Sequence, residues 1–230
     1  KKLVTSNPSP EYVARVSAIF NDNGQGVRGD LSAVIKTILL DKEVLEGTSS
    51  NANFGKIREP LLRVVHLWRA FDAYSPNDRF QFNWPDYAFA QAPLAAHHVF
   101  NFFSPDYVPP GIVSDNNLIA PELEIVTENY LTRTSNFLAY STLWGHTEFE
   151  NESDNDERIL IEMNSLKPMI DDTNKLLEHL NMMLLGGTMS DEMHTILTQA
   201  FNNSNEQEIN DRLSILLFLI MISPQYTVQR

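Results

Sequence analysis

REPLLRVVHLWRAFDA (Arg58–Ala73) is the stretch that decides how the rest of the chain is read. Leu61, Leu62, Val65, Trp68 and Ala70–Phe71 recur at the spacing that lines one side of an α-helix, which predicts a buried helical stripe. Pro60 fits the first helical turn, where a missing N–H is no loss, and Glu59 there favours the positive helix end. Arg58 is able to clamp a carboxylate elsewhere in the fold. Arg58-Glu59-Pro60 therefore reads first as a helix-entry motif and second as a contact to a ligand or partner.

The same period extends outward. Ser9-Pro10-Glu11 is a helix start, followed by Tyr12, Val13, Val16, Ile19 and Phe20 on one face. The glycine-rich turn Asn21–Gly29 ends that helix, and Asp30 caps another carrying Leu31, Val34, Ile35, Ile38 and Leu39. Toward the C-terminus, helical signals resume at about Pro121–Trp144 and Leu166–Leu185, the latter stopping at Gly186-Gly187. Ser190 opens a short helix to about Phe201. Ser204–Gln207 matches a capping box before the last helix, which runs to about Ile222, and Pro224 ends or restarts it. No convincing alternating strand interrupts this series.

Between Phe71 and Pro121 the character changes. Seven of the twelve prolines lie here, with many aromatics, so neither a long helix nor a central strand is expected. The rings are worth more buried than exposed, which predicts an ordered irregular segment wrapped on the helical core. The fold expected is all-α: a compact multi-helix array with a long proline- and aromatic-rich segment at 71–121 inside one domain spanning 1–230. Ser-Pro-x-Tyr occurs at Ser9–Tyr12, Ser104–Tyr107 and Ser223–Tyr226, and reads as a reused helix-start or turn signal.

The 230 residues carry 17 basic and 30 acidic side chains, a formal charge of −13. That field has the wrong sign for displacing counterions from phosphate backbones, so nucleic acid is not an expected partner. With no cysteine, disulfides and thiolate chemistry are excluded. The longest apolar run, Ile215–Ile222, is too short to span a bilayer, so no transmembrane segment is expected. The chain opens at Lys1 without methionine or signal peptide, as expected of a processed chain or a piece of something longer.

Asn21, Asp22 and Asn23 are the nearest thing to a metal loop, since alternating oxygen ligands followed by glycine suit calcium. The twelfth loop position is Ser32 where a bidentate glutamate belongs, so a capped turn is favoured. No cofactor is predicted, and calcium is the metal this loop would take. The acidic run Glu148–Glu157 reads as a solvated loop. The histidines form no HExxH pattern, His66 reads as packed or partly buried, and nucleotide-binding and serine-nucleophile motifs are missing. Trp84, Tyr87, Phe100, Phe102, Phe103 and Tyr107 are the best binding candidates, able to offer flat faces to a sugar ring or a partner chain; the favoured account is that they anchor the loop.

Several blocks carry a family resemblance: LVTSNPSPEYVARV (Leu3–Val16), GVRGDLSAVIKTILLD (Gly26–Asp41), FGKIREPLLRVVHLWRAFDA (Phe54–Ala73), QAPLAAHHVFNFFSPDYVPPG (Gln91–Gly111), LIAPELEI (Leu118–Ile125) and ISPQYTVQR (Ile222–Arg230). Their order resembles the C-terminal portion of the bacterial family called domain of unknown function 1800. The resemblance implies a secreted, periplasmic or cell-envelope protein whose N-terminal half is absent here, and it implies no established activity.

The leading expectation for function is a non-catalytic binding or assembly module of an exported envelope protein. Its partner would be an exported protein, the absent N-terminal half, or a polysaccharide. One alternative is part of a hydrolase completed by that half, and another is a calcium-stabilised structural module.

Overall fold

The computed structural model describes residues 1–49, 51, 53–145, 158–204 and 208–230, and it is mostly helical. In chain order the first elements are α1 (Pro10–Asn21), α2 (Leu31–Leu40), α3 (Lys42–Glu46), a 3-10 turn (Gly47–Ser49) and β1 (Lys56–Ile57). Next come α4 (Pro60–Ala70), α5 (Pro85–Phe89), α6 (Ile112–Asp115), a 3-10 turn (Pro121–Glu124) and α7 (Glu128–Leu143). A 3-10 turn (Lys167–Met169), α8 (Thr173–Leu180) and a π-helical turn (Asn181–Leu185) follow. The chain then forms α9 (Asp191–Asn202), α10 (Ile209–Ile222), α11 (Pro224–Thr227) and β2 (Val228–Gln229).

These elements sort into two compact units. The first comprises Lys1–Ile57, Phe103–Glu124 and Val228–Arg230; the second comprises Arg58–Phe102 and Ile125–Thr227.

In the first unit α1 packs on α2, and both begin at side-chain caps. Ser9 Oγ accepts the Tyr12 amide at 3.0 Å and Asp30 Oδ1 accepts that of Ala33 at 3.1 Å. The apolar stripe read on α2 is not buried: α2 has no buried residue, and Leu31 is 64% exposed. Polar cross-links hold this unit instead. Arg15 grips Asp41 with two bonds of 2.6 Å, and buried Glu43 accepts the amide and hydroxyl of Ser9. Reciprocal pairs add to these. Thr5 Oγ1 donates to Gly55 O and accepts from Gly55 N, both at 3.0 Å. Asn7 Nδ2 donates to Ile119 O, while its Oδ1 accepts from Ile119 N. Lys56 and Glu122 form a buried ion pair at 3.5 Å. Lys56 and Ile57 pair antiparallel with Gln229 and Val228, a two-strand ladder too short to show as an alternating pattern in sequence.

The second unit holds the hydrophobic core. Val64, Leu67, Leu176, Leu177, Leu180, Leu213, Leu217 and Ile220 are fully shielded, and α10 packs along α7 and α9. Of the predicted stripe α4 buries Trp68 and its C-cap Phe71, with Val64 and Leu67 beside them, while Leu61, Val65 and Ala70 are half-buried and Leu62 is exposed. Arg63 and Pro60 of this helix are buried too. Trp68 centres an aromatic nest, its ring 5.2 Å from Phe80, 5.1 Å from Phe82 and 6.2 Å from Phe137.

The long helix expected over Leu166–Leu185 is broken. Pro168 sits in a 3-10 turn, Asp172 caps α8 through the Lys175 amide, and the backbone widens to a π turn before Gly186 ends it in the left-handed region. α10 starts at Ile209, not next to Ser204; Asn205–Gln207 of the expected capping box lie outside the described residues. The helix expected from Pro121 likewise divides into a 3-10 turn and α7, whose cap is Thr127.

The three Ser-Pro-x-Tyr copies behave as turn signals. Ser9 Oγ and Ser223 Oγ each accept the amide of the following tyrosine, Tyr12 and Tyr226, and Ser104 O accepts that of Tyr107.

Candidate functional site

α5 and α7 of the second unit are joined along their length. Thr134 Oγ1 donates to Ala88 O at 3.1 Å, and Arg133 Nη1 donates to Tyr87 O at 2.9 Å. The Arg133 guanidinium also lies 4.0 Å from the centre of the Tyr87 ring, a cation–π contact that fixes how that ring stands. Beneath them Phe137 packs on Phe89, ring centres 4.8 Å apart, so α7 rests on an apolar floor.

Above that floor is a groove of about 390 Å³ lined by Tyr87, Arg133, Asn136, Phe137, Tyr140 and Gly145, with Ala88 at its base. Tyr87 is 66% exposed, Tyr140 and Trp144 each 58%. The Tyr140 and Trp144 rings stand 5.4 Å apart, so the ring surface continues past the groove. A site of this make-up can stack on a flat apolar face and hydrogen-bond its polar edge through Asn136 and Arg133.

Of the predicted aromatics, Tyr87 alone lines this groove. Trp84, at the N-cap of α5, is 72% exposed. Phe100 is exposed with its ring 5.9 Å from His98, and Phe102 is half-buried beside His97. Phe103 and Tyr107 belong to the first unit: Phe103 is buried under the Lys2 ammonium, and Tyr107 O accepts from the Ala120 amide. Arg133, Asn136, Tyr140 and Trp144 were not anticipated. Arg133, Asn136, Phe137 and Tyr140 follow the i, i+3, i+4, i+7 spacing of one helical face, and that mixed polar and aromatic stripe was the available signal.

In the first unit, the oxygens of the Asn21–Asp22–Asn23 loop are engaged by its own backbone. Asp22 Oδ1 accepts from the amides of Gly24 and Gly26, and Asn23 Oδ1 from those of Gln25 and Val27. Asn23 Nδ2 donates to Asp30 Oδ2. Asn21 is the last residue of α1. Among the described residues no three His, Asp or Glu side chains are grouped to hold a metal ion, and the acidic run Glu148–Glu157 lies outside them.

Arg58 and Glu59 part company. Glu59, buried at the N-cap of α4, accepts from Gln91 Nε2 at 2.7 Å and Asn101 Nδ2 at 3.0 Å. Arg58 turns toward α11: its guanidinium stacks 4.3 Å from the Tyr226 ring centre and Nη1 donates to His66 Nδ1 at 3.1 Å. His66 Nδ1 is also 3.0 Å from the Tyr226 hydroxyl, which donates to Arg63 O at 2.9 Å. Burial, then the charge of Arg58, lowers the His66 pKa, partly opposed by the ring's bond to the Met183 carbonyl. The ring is neutral, with its proton on Nε2, because an arginine can only donate to Nδ1. Burial pushes Arg63 down to about 10 and Tyr226 up to about 12.

A mostly helical chain with a ring-lined groove on its second unit is the class these observations define. The chain belongs to the family described as "Protein of unknown function (DUF1800)", whose model matches residues 1–228. No curated protein matches it, and no solved structure does.

Proposed function

We propose that this chain is a non-catalytic binding module of an exported bacterial envelope protein, and that it takes a polysaccharide strand along the groove between α5 and α7. The observation that carries this reading is the pair of exposed rings, Tyr87 and Tyr140, lining the groove with Asn136 and Arg133, and continued by exposed Trp144 beside Tyr140. Sugar rings present apolar C–H faces and polar rims, so they are matched by aromatic faces beside an amide and a guanidinium. Among the described residues the lining is made of side chains that stack and hydrogen-bond, and none of them is a carboxylate or histidine. The net charge of −13 favours neutral glycans over acidic ones.

The test is tryptophan fluorescence of the 230-residue chain titrated with soluble neutral glucans, xylans and mannans. At least one is expected to perturb Trp144 emission saturably, and Tyr140→Ala or Trp144→Ala to abolish binding while the melting temperature holds. If no glycan binds the folded chain, or the two variants bind as the parent does, the reading is wrong.

A further inference from the structure

Between Gln91 and Asn101 the second unit carries a loop that is fastened at both ends and bare at its tip. Both ends are tied to one buried carboxylate: Glu59 Oε2 accepts from Gln91 Nε2 at 2.7 Å and from Asn101 Nδ2 at 3.0 Å. Gln91 Oε1 accepts the Leu61 amide, so the base is held to the first turn of α4. Within the loop Ala95 N donates to Ala92 O and Asn101 N to His98 O, two turns that fix its course.

Every residue from Pro93 to Phe100 is exposed, eight in succession. Leu94 is wholly exposed, Val99 94% and Phe100 59%. Leu94 also holds φ at +61°, an uncommon conformation for a bulky side chain. Apolar side chains scattered singly over a surface need no explanation, but a pinned loop that presents them in succession does.

The same segment is uncharged. No Asp, Glu, Lys or Arg occurs from Tyr87 to Pro105, in a chain whose residues are 20% charged. The tip can therefore leave water without stripping an ion of its hydration. Trp84 and Tyr87, exposed just before the loop in sequence, are residue types that favour the boundary between water and lipid.

We propose that the Pro93–Phe100 loop docks this unit on an electrically neutral lipid surface, with Leu94, Val99 and Phe100 seated at the level of the headgroups. The surface is neutral because a net charge of −13 opposes approach to an anionic one. Insertion is shallow because the backbone of an irregular loop must keep partners in water or headgroups. A lipid boundary also conforms to a narrow protrusion. A stable protein interface takes about 20–30 residues from each side. The bare tip offers eight.

The chain has no cysteine, so Val99→Cys gives a single attachment point for a polarity-sensitive dye. Leu31→Cys, on exposed α2 of the first unit, gives a comparison site. Each labelled 230-residue chain is mixed with phosphatidylcholine vesicles at about pH 8, above the range in which histidines ordinarily gain charge. The chain is expected to float with the vesicles, and the dye at Val99 to shift to the blue while that at Leu31 does not. Val99→Asp combined with Phe100→Asp should partition at least about tenfold less, with its melting temperature unchanged. Failure to float, a shift at Leu31 in place of Val99, or full partitioning of the aspartate variant overturns the proposal. So does a doubling of mass by light scattering without vesicles that the same variant removes, since the loop would then join two copies. Val99 and Phe100 line no part of the groove, so these results leave glycan binding at Tyr140 and Trp144 to its own test.

Discussion

In the second unit Leu177, Leu213 and Leu217 touch no solvent, whereas α2 in the first unit leaves Leu31, Ile35, Leu39 and Leu40 largely in water. Both sets of helices show the same 3.6-residue period. A helical stripe is buried only if another apolar surface is offered to it, and α1 offers α2 little more than Tyr12. Fully burying a leucine is worth about 1.5–3 kcal/mol, so the second unit's order rests on its apolar core. The first unit is specified by directed contacts: the Arg15–Asp41 fork, the Ser9–Glu43 bonds, the Thr5–Gly55 and Asn7–Ile119 pairs, and the buried Lys56–Glu122 pair. Directed contacts fix geometry, but each is fragile to the loss of one partner.

That contrast makes the largest expected effect a polar one. Lys56→Met strands Glu122, whose Oε2 already lacks a partner, in a dry environment and should cost about 3–5 kcal/mol in urea unfolding. A smaller loss would mean that water reaches the pair. Leu217→Ala in α10 should cost about 2–5 kcal/mol by cavity formation, measured the same way. A loss below that range would show that the second unit's core closes around the gap.

Acid should sharpen the comparison through His66. Its folded pKa lies below its ordinary value of about 6.5, so below that pH the unfolded chain takes up a proton the folded chain resists. Stability should be level above about pH 6.5, fall as pH drops toward the folded pKa, and lose this component of the slope in His66→Gln. Chemical denaturation across that range reads it, and identical slopes in parent and variant would remove His66 as the cause. The smallest effect belongs to α2: Leu31→Ala should move stability by less than about 0.5 kcal/mol. A loss as large as that of Leu217→Ala would show that the exposed stripe is covered in solution.

Local chemistry was the legible part. Ser9, Asp30 and Ser190 cap helices as their side chains require, and Gly186 ends one because glycine accepts a positive φ without strain. The helical class follows from these starts and stops. What sequence could not disclose was burial and long-range company. His66 meets Tyr226, 160 residues on, and no periodicity encodes that meeting. The predicted aromatics divide for a related reason: Phe103 is buried in the first unit, while Trp84, at the N-cap of α5, and Tyr87 within that five-residue helix stay exposed. The groove residues were readable as a stripe on α7, yet only its packing against α5 shows that the stripe flanks a groove.

Gly55 shows what the β1–β2 ladder asks of the chain in time. With φ at +120° and the Gln229 carbonyl only 2.6 Å from where a Cβ would stand, this residue lets the two strands close to bonding distance. Lys56 is made before Gln229, and the whole second unit lies between them in sequence. A ribosome therefore releases the material of a leucine-rich core before the first unit can be closed. The polar unit must wait as an open ring during synthesis, and its last clasp engages in a step of high sequence separation, slow by the entropy of the loop it shuts.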